Sequence, residues 1–86
     1  MVTLHTFCRA FGNAERVRLV VCLSRTATVS ELLEKCHLSQ SALSQHLAIL
    51  RNAGVITAHR NGRYVQYKTC SRAYVQLAKT IINLTQ

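Results

Sequence analysis

The chain has 86 residues, with eleven Lys and Arg against three Glu, no Asp and a formal charge of +8. That length makes one domain, 1–86, with a modest core that a shared dimer core would enlarge. No acid lies beyond Glu34, so the C-terminal part sets its bases against no counterweight and favours a polyanion.

Other classes fall away on the same evidence of composition. Arg9 and its polar neighbours interrupt any early apolar run, which argues against a signal peptide. No apolar run is long enough to span a bilayer, and no strongly basic amphipathic helix suits a membrane surface. Cys8, Cys22, Cys36 and Cys70 are scattered without CxC or CxxC spacing, which places the chain in a cytoplasm with reduced thiols. No nucleophile, base and carboxylate form a recognisable set, so the chain is not expected to be an enzyme.

In chain order, Met1 to Phe11 reads as a short helix with Leu4, Phe7 and Phe11 three to four apart. It is too short to stand alone and must pack on something. Gly12-Asn13 breaks it, and Asn13 caps a second helix from Ala14 to about Arg25. There Val17, Val20, Val21 and Leu23 supply apolar surface, and Arg16 and Arg18 project. Thr28-Val29-Ser30-Glu31 is a capping box, so a third helix runs from there to about Cys36 with Leu32 and Leu33 facing inward. His37-Leu38-Ser39 turns into a fourth helix, capped by Ser39 and ended by Gly54.

The fourth helix has two faces. Leu43, Leu47 and Leu50 form an apolar stripe, and Ser41, Ser44, Gln45, Ala48 and Asn52 lie opposite. A solvated face usually carries Glu and Lys, whereas a Ser, Gln and Asn face suits hydrogen bonding to base edges. Two short helices joined by a tight turn, the second polar outside, make a helix-turn-helix. Beyond Gly54, Val55–Ala58 and Tyr64–Lys68 are rich in β-branched and aromatic residues. Asn61-Gly62 between them signals a hairpin. Its tip carries Arg60 and Arg63, a basic wing placed to meet phosphates or the minor groove. Ser71 caps a last helix to Thr85, whose Tyr74, Leu77, Ala78, Ile81, Ile82 and Leu84 make a broad apolar band. A band this wide in so small a domain points to a partner subunit rather than to its own core.

The run Leu38-Ser39-Gln40-Ser41-Ala42-Leu43-Ser44-Gln45-His46-Leu47, followed by Leu50-Arg51-Asn52-Ala53-Gly54-Val55-Ile56, resembles the recognition segment of ArsR-type winged-helix repressors. Asn13–Arg18 and the wing ending Tyr64-Val65-Gln66-Tyr67 are similar to that family as well, so the resemblance covers about Gly12 to Thr69. It implies a homodimeric DNA-binding repressor with its terminal helices at the dimer interface. It also implies that Gln40, Ser41, Ser44, Gln45 and His46 lie at the major groove. The departures concern sensing. Val29–Leu33 lacks the cysteine pair by which many members sense metals. The last helix lacks the Asp, His and Glu that others use there. Cys22 sits one position from the place expected for oxidant-sensing members, and Cys70 only precedes the last helix.

The remaining residues carry two readings each. His46, at the edge of the apolar stripe, meets a phosphate or holds a neighbouring backbone group. Arg51 and Lys35 are phosphate clamps or solvated charges. His5 with Cys8, and Cys36 with His37, supply no tetrahedral set, so neither a metal nor a cofactor is expected. Regulation stands between a thiol device at Cys8 or Cys22 and no switch at all.

These readings converge on an α+β winged helix-turn-helix domain with a two-stranded β-wing and terminal helices forming a dimer interface. The expected function is sequence-specific binding of double-stranded DNA as a homodimeric, cytoplasmic transcriptional repressor, with no small-molecule ligand evident. Gln40, Ser41, Ser44, Gln45 and His46 face the DNA, with Arg51, Arg60, Asn61 and Arg63 on its backbone. Leu4, Phe7, Tyr74, Leu77, Ala78, Ile81 and Ile82 form the interface. Two alternatives are a structural DNA binder of the same fold, such as a plasmid partition or viral architectural protein, and a winged-helix protein-interaction module.

Overall fold

The computed structural model describes residues 2–85; Met1, the start of the expected first helix, lies outside them. The order is α1 (Leu4–Ala10), α2 (Ala14–Cys22), β1 (Ala27–Thr28), α3 (Val29–Lys35), α4 (Gln40–Asn52), β2 (Ile56–Asn61), β3 (Tyr64–Thr69) and α5 (Arg72–Leu84). This is a winged helix, with five helices and an antiparallel sheet in the order β1-β3-β2.

Side-chain caps start every helix, each satisfying amide donors that have no partner within the helix. Thr3 caps α1 by accepting from the Thr6 amide. Asn13 Oδ1 accepts from the Glu15 and Arg16 amides at 2.9 and 3.2 Å. Thr28 and Glu31 complete the capping box of α3, and the Thr28 amide, with its hydroxyl second, lowers the pKa of the Glu31 carboxyl. Ser39 and Ser71 cap α4 and α5. Gly54, at φ 74°, ends α4. Its amide bonds to the Arg51 carbonyl and the Val55 amide to the Leu50 carbonyl, the two bonds of a Schellman motif, with Val55 and Leu50 both fully buried beneath it.

Two boundaries differ from the sequence expectation. The second helix stops at Cys22, three residues early, because the chain leaves it to form β1. Ala27 and Thr28 pair with Tyr67 and Gln66 of β3, so the sheet has three strands rather than two. A two-residue strand is held by its partner's edge and has no periodicity of its own to read. The hairpin also runs closer to its tip than the residue pattern suggests. β2 reaches Asn61, which pairs with Tyr64, leaving Gly62-Arg63 as the turn. Of these two only Gly62 has a positive φ, 65°, as a type II′ turn requires at its first central position.

The core joins Val17, Leu19 and Val20 of α2, Leu32 of α3, Leu43, Leu47 and Leu50 of α4, Val55, Ile56 and Ala78, each at most 4% exposed. Each large aliphatic side chain so buried contributes about 1.5–3 kcal/mol. Phe7, Phe11 and Tyr74 pack on it as a tilted aromatic row, with ring centroids 5.0 and 5.6 Å apart. That row is what seats the seven residues of α1. Leu33 faces inward as expected, half-buried against this core.

Thr69, buried in this core, donates from Oγ1 to the Val20 carbonyl at 2.8 Å, and its amide donates to the Leu23 carbonyl. Both acceptors lie at the end of α2, where helix carbonyls run out of intrahelical donors. Thr69→Val keeps the shape and deletes the hydroxyl. It should lower the unfolding free energy by about 1–2 kcal/mol, read by chemical denaturation. An unchanged midpoint would show that the Val20 carbonyl needs no partner.

Candidate nucleic-acid interface

The apolar side of α4 decides what its other side presents. With Leu43, Leu47 and Leu50 locked in the core, Gln40, Ser41, Ser44, Gln45, Ala48 and Asn52 are all exposed. This face is neutral and rich in groups that both donate and accept. Arg51, also exposed, stands on its flank and places a cation at the C-terminal end of the helix, where the helix dipole favours it.

The wing stands beside this face. A cleft of about 130 Å³ is lined by Ser44, Leu47, Ala48 and Arg51 of α4 and by Tyr67 of β3. Tyr67 is three residues from Tyr64, the last paired residue of the hairpin. At the usual strand rise the tip therefore projects roughly 10 Å past that cleft. Arg60, Asn61, Gly62 and Arg63 are all exposed there. The fold thus brings the polar helix face and a basic finger to neighbouring positions.

His46 and Arg16 are where the structure departs most from the sequence reading. Arg16 does not project: it is buried, 9% exposed. Its Nε donates to the Ala10 carbonyl at 3.2 Å and its Nη2 to the Arg9 carbonyl at 2.9 Å. Its Nη1 lies 3.2 Å from His46 Nδ1. Burial holds the guanidinium below its ordinary pKa, and the charge of Arg9 adds to the effect. The contact leaves His46 half-buried, with one ring edge turned inward. The sequence signal for this was slight: Arg16 falls between Leu19 and Val20 on the helix projection, among residues that face the core. Arg18, by contrast, is exposed and pairs with Glu15 at 2.8 Å.

The residues expected at a dimer interface divide in two. Leu4 and Leu77 are exposed, at 80% and 38%, and Phe7, Tyr74, Ile81 and Ile82 are half-buried. Ala78 is fully buried in the chain's own core and has no surface for a partner.

The four cysteines are free thiols. Cys8 is exposed on α1, while Cys22 and Cys36 are half-buried at the ends of α2 and α3. Burial pushes the Cys36 thiol up, with Cys22 and Glu15 pushing the same way against Lys35. A raised pKa disfavours the thiolate, the nucleophilic form. Cys70, exposed, lines a hollow of about 670 Å³ with Arg25, Lys68, Arg72 and Lys79, a gathering of cations that their spacing in the sequence does not announce. Among the described residues, no three His, Cys or Glu side chains group as metal ligands, and no helix is long and apolar enough to cross a membrane.

Comparison with known proteins bears on the same elements. The HTH-type transcriptional repressor SmtB of Mycobacterium tuberculosis is 41% identical over 61 residues, which are 70% of this chain and 45% of that protein. The transcriptional activator HlyU of Vibrio cholerae is 38% identical over 64 residues, 73% of this chain and 59% of that one. The chain spans about half the length of the curated relatives it matches. The solved structure of HlyU from Vibrio cholerae superposes with a TM-score of 0.79 at 31% identity, covering 92% of this chain and 87% of that chain. The fold alone is shared with the transcriptional repressor BigR of Xylella fastidiosa, at a TM-score of 0.81 and 24% identity over 94% of this chain and 84% of that chain. The family model for bacterial regulatory proteins of the arsR family matches residues 14–58, from the first residue of α2 into β2, the span that holds the buried arginine, the helix-turn-helix and the start of the wing. On this match and these identities, the chain belongs to the arsR family of bacterial regulatory proteins.

Proposed function

We propose that this protein binds double-stranded DNA sequence-specifically as a homodimer and represses transcription from the sites it occupies. The observation that carries the reading is the exposed, uncharged Ser and Gln face of α4, held by three buried leucines beside a basic hairpin. A neutral amide and hydroxyl face distinguishes base pairs by their donor and acceptor patterns, whereas Lys and Arg bound to phosphates do not. Gln40, Ser41, Ser44 and Gln45 are the readers. Arg51, Arg60 and Arg63 supply sequence-independent attraction to the backbone. The net charge of +8 speeds encounter with any duplex. The homodimer rests on exposed apolar side chains at both ends of the chain: Leu4 on α1, and Leu77 and Leu84 on α5. Two subunits paired through these helices present two copies of α4 to two half-sites. The names of the relatives, a repressor among them, agree with this reading.

The test begins with selection of bound sites from random duplexes, which returns two half-sites at a fixed spacing if the dimer reads DNA. A set of sequences with no preference would remove the reading and favour an architectural or protein-binding role. With the selected site in hand, Gln45→Ala should weaken it by about 1–3 kcal/mol while leaving unrelated duplexes nearly unaffected. An equal loss on both would remove Gln45 from the readers.

The wing is expected to act through charge. Arg60→Ala combined with Arg63→Ala should lower affinity for every duplex and flatten the slope of log affinity against log salt by roughly one to two units. Binding isotherms at several salt concentrations decide this, and an unchanged slope places the wing away from phosphates.

For the interface, Leu4→Asp and Leu77→Asp change side chains that the chain's own core does not need. Each should give a folded monomer by sedimentation and circular dichroism, whereas Ile81→Asp, deeper in the chain, should destabilise the fold as well. A fully dimeric Leu77→Asp protein would move the interface off this face of α5.

A further inference from the structure

We propose that Arg16 is a positioning residue for DNA binding: it fixes His46 as a neutral imidazole protonated on Nε2, so that α4 directs one N–H donor at a backbone phosphate oxygen of the duplex. The proposal rests on the DNA-binding reading above.

The polarity of the Arg16–His46 contact follows from the groups themselves. A guanidinium has five N–H donors, no acceptor, and keeps its proton in proteins. At 3.2 Å from Nη1, His46 Nδ1 is therefore the acceptor. An imidazole that accepts at Nδ1 is neutral and carries its single proton on Nε2. Arg16 has little freedom to release the ring, because its other donors hold the Arg9 and Ala10 carbonyls at 2.9 and 3.2 Å. The guanidinium is thereby fixed to the C-terminal end of α1 before it meets α4.

The free ring nitrogen reaches the surface. His46 is only half-buried, and Nε2 has no hydrogen-bond partner among the described residues. No buried side-chain nitrogen or oxygen among those residues lacks a partner, so Nε2 is open to solvent. At about 100° per residue, His46 lies on the flank of α4, between the buried leucine stripe and the exposed face of Ser41 and Gln45. A flank residue of a helix in the major groove meets the groove wall, which is sugar and phosphate, before its floor. A neutral N–H aimed there makes a hydrogen bond to a charged acceptor, stronger than one between neutral groups.

The experiment combines a spectroscopic reading of the free protein with DNA binding. Nitrogen-15 NMR of the histidine rings, assigned by loss of the signal in His46→Asn, should show His46 as the Nε2–H tautomer with an accepting Nδ1. Arg16→Lys, which keeps the charge but loses the planar fork, should shift the ring toward mixed tautomers. His46→Asn keeps an oxygen near the Nδ1 position for Arg16 and has nothing at the Nε2 position. It should fold as the wild type does and bind a selected site and a scrambled duplex more weakly by the same factor, roughly tenfold. Its salt slope should be unchanged, since a neutral donor releases no counterion. His46→Gln, whose amide reaches the Nε2 position, should recover most of that loss.

A protonated Nδ1 in the wild type, or affinity unaffected by His46→Asn, would overturn the proposal. So would a loss confined to the selected site, which would make His46 a base reader. A wild-type protein that binds no duplex would overturn the DNA-binding reading and the phosphate contact with it. The tautomer signal, recorded without DNA, separates that outcome from a failure of Arg16 to set the ring.

Discussion

A buried guanidinium without a carboxylate partner is costly unless its donors find acceptors. Arg16 finds them in the last carbonyls of α1 and in the imidazole of His46. The carbonyl end of a helix carries partial negative charge, so α1 meets the cation with its dipole as well as with two hydrogen bonds. The arrangement serves both parties. A seven-residue helix is unstable alone, and its C-terminal carbonyls need donors. Arg16 supplies the donors, and Phe7, itself stacked on Phe11, supplies the packing against Tyr74. One side chain thereby holds three helices, α1, α2 and α4, in a single geometry.

The same geometry explains how α4 keeps a chemically bare outer face. A short helix usually gains solubility and stability from charged pairs on its exposed side. Here that side has Ser, Gln and Asn, which form no charged pairs, and Ser and Asn add little helical propensity. The stability comes instead from both ends and from beneath. Ser39 caps the start, the Schellman motif at Gly54 closes the end, and three leucines bury the apolar stripe. With those constraints met elsewhere, the outward positions are free to be chosen for hydrogen-bonding pattern. The nearby exposed cations sit off this face, on Arg51 and at the wing tip.

Much of this was legible because the signals were local. Asn13, Thr28 with Glu31, Ser39 and Ser71 announce helix starts by side-chain chemistry that acts within three residues, and all four cap as read. Gly54 and Asn61-Gly62 mark reversals for the same reason. The recognition helix is legible as an amphipathic repeat, and the family resemblance rests on it. What was not legible depends on distant residues. β1 exists only because β3 offers an edge. The burial of Arg16 requires α1 and α4 to be in place around it, and an arginine taken alone reads as solvated. Ala78 looks like part of an outward band on the α5 projection, yet it is the point at which α5 meets the core. Of the candidate site, the α4 face and the wing were foreseen. For the inward edge of His46 the expected partner was a backbone group, and the structure places the Arg16 guanidinium there instead.

The Arg16 cluster also bears on how such a domain responds to change at its ends. Leu4 lies on α1, whose last carbonyls Arg16 grips, and His46 lies on the helix that faces outward. A displacement of α1 relative to α2 must either carry the guanidinium with it or break two of its hydrogen bonds. In the first case His46 Nδ1 loses its donor; in the second the guanidinium keeps the imidazole as its one remaining partner. Neither event needs α4 to unfold or its leucine stripe to leave the core. The C-terminal end of α1 and the flank of α4 are therefore joined through one side chain of α2. Cys8 is exposed on the same short helix and precedes Arg9, whose carbonyl Arg16 holds, whereas burial raises the pKa of the Cys36 thiol at the far end of α3.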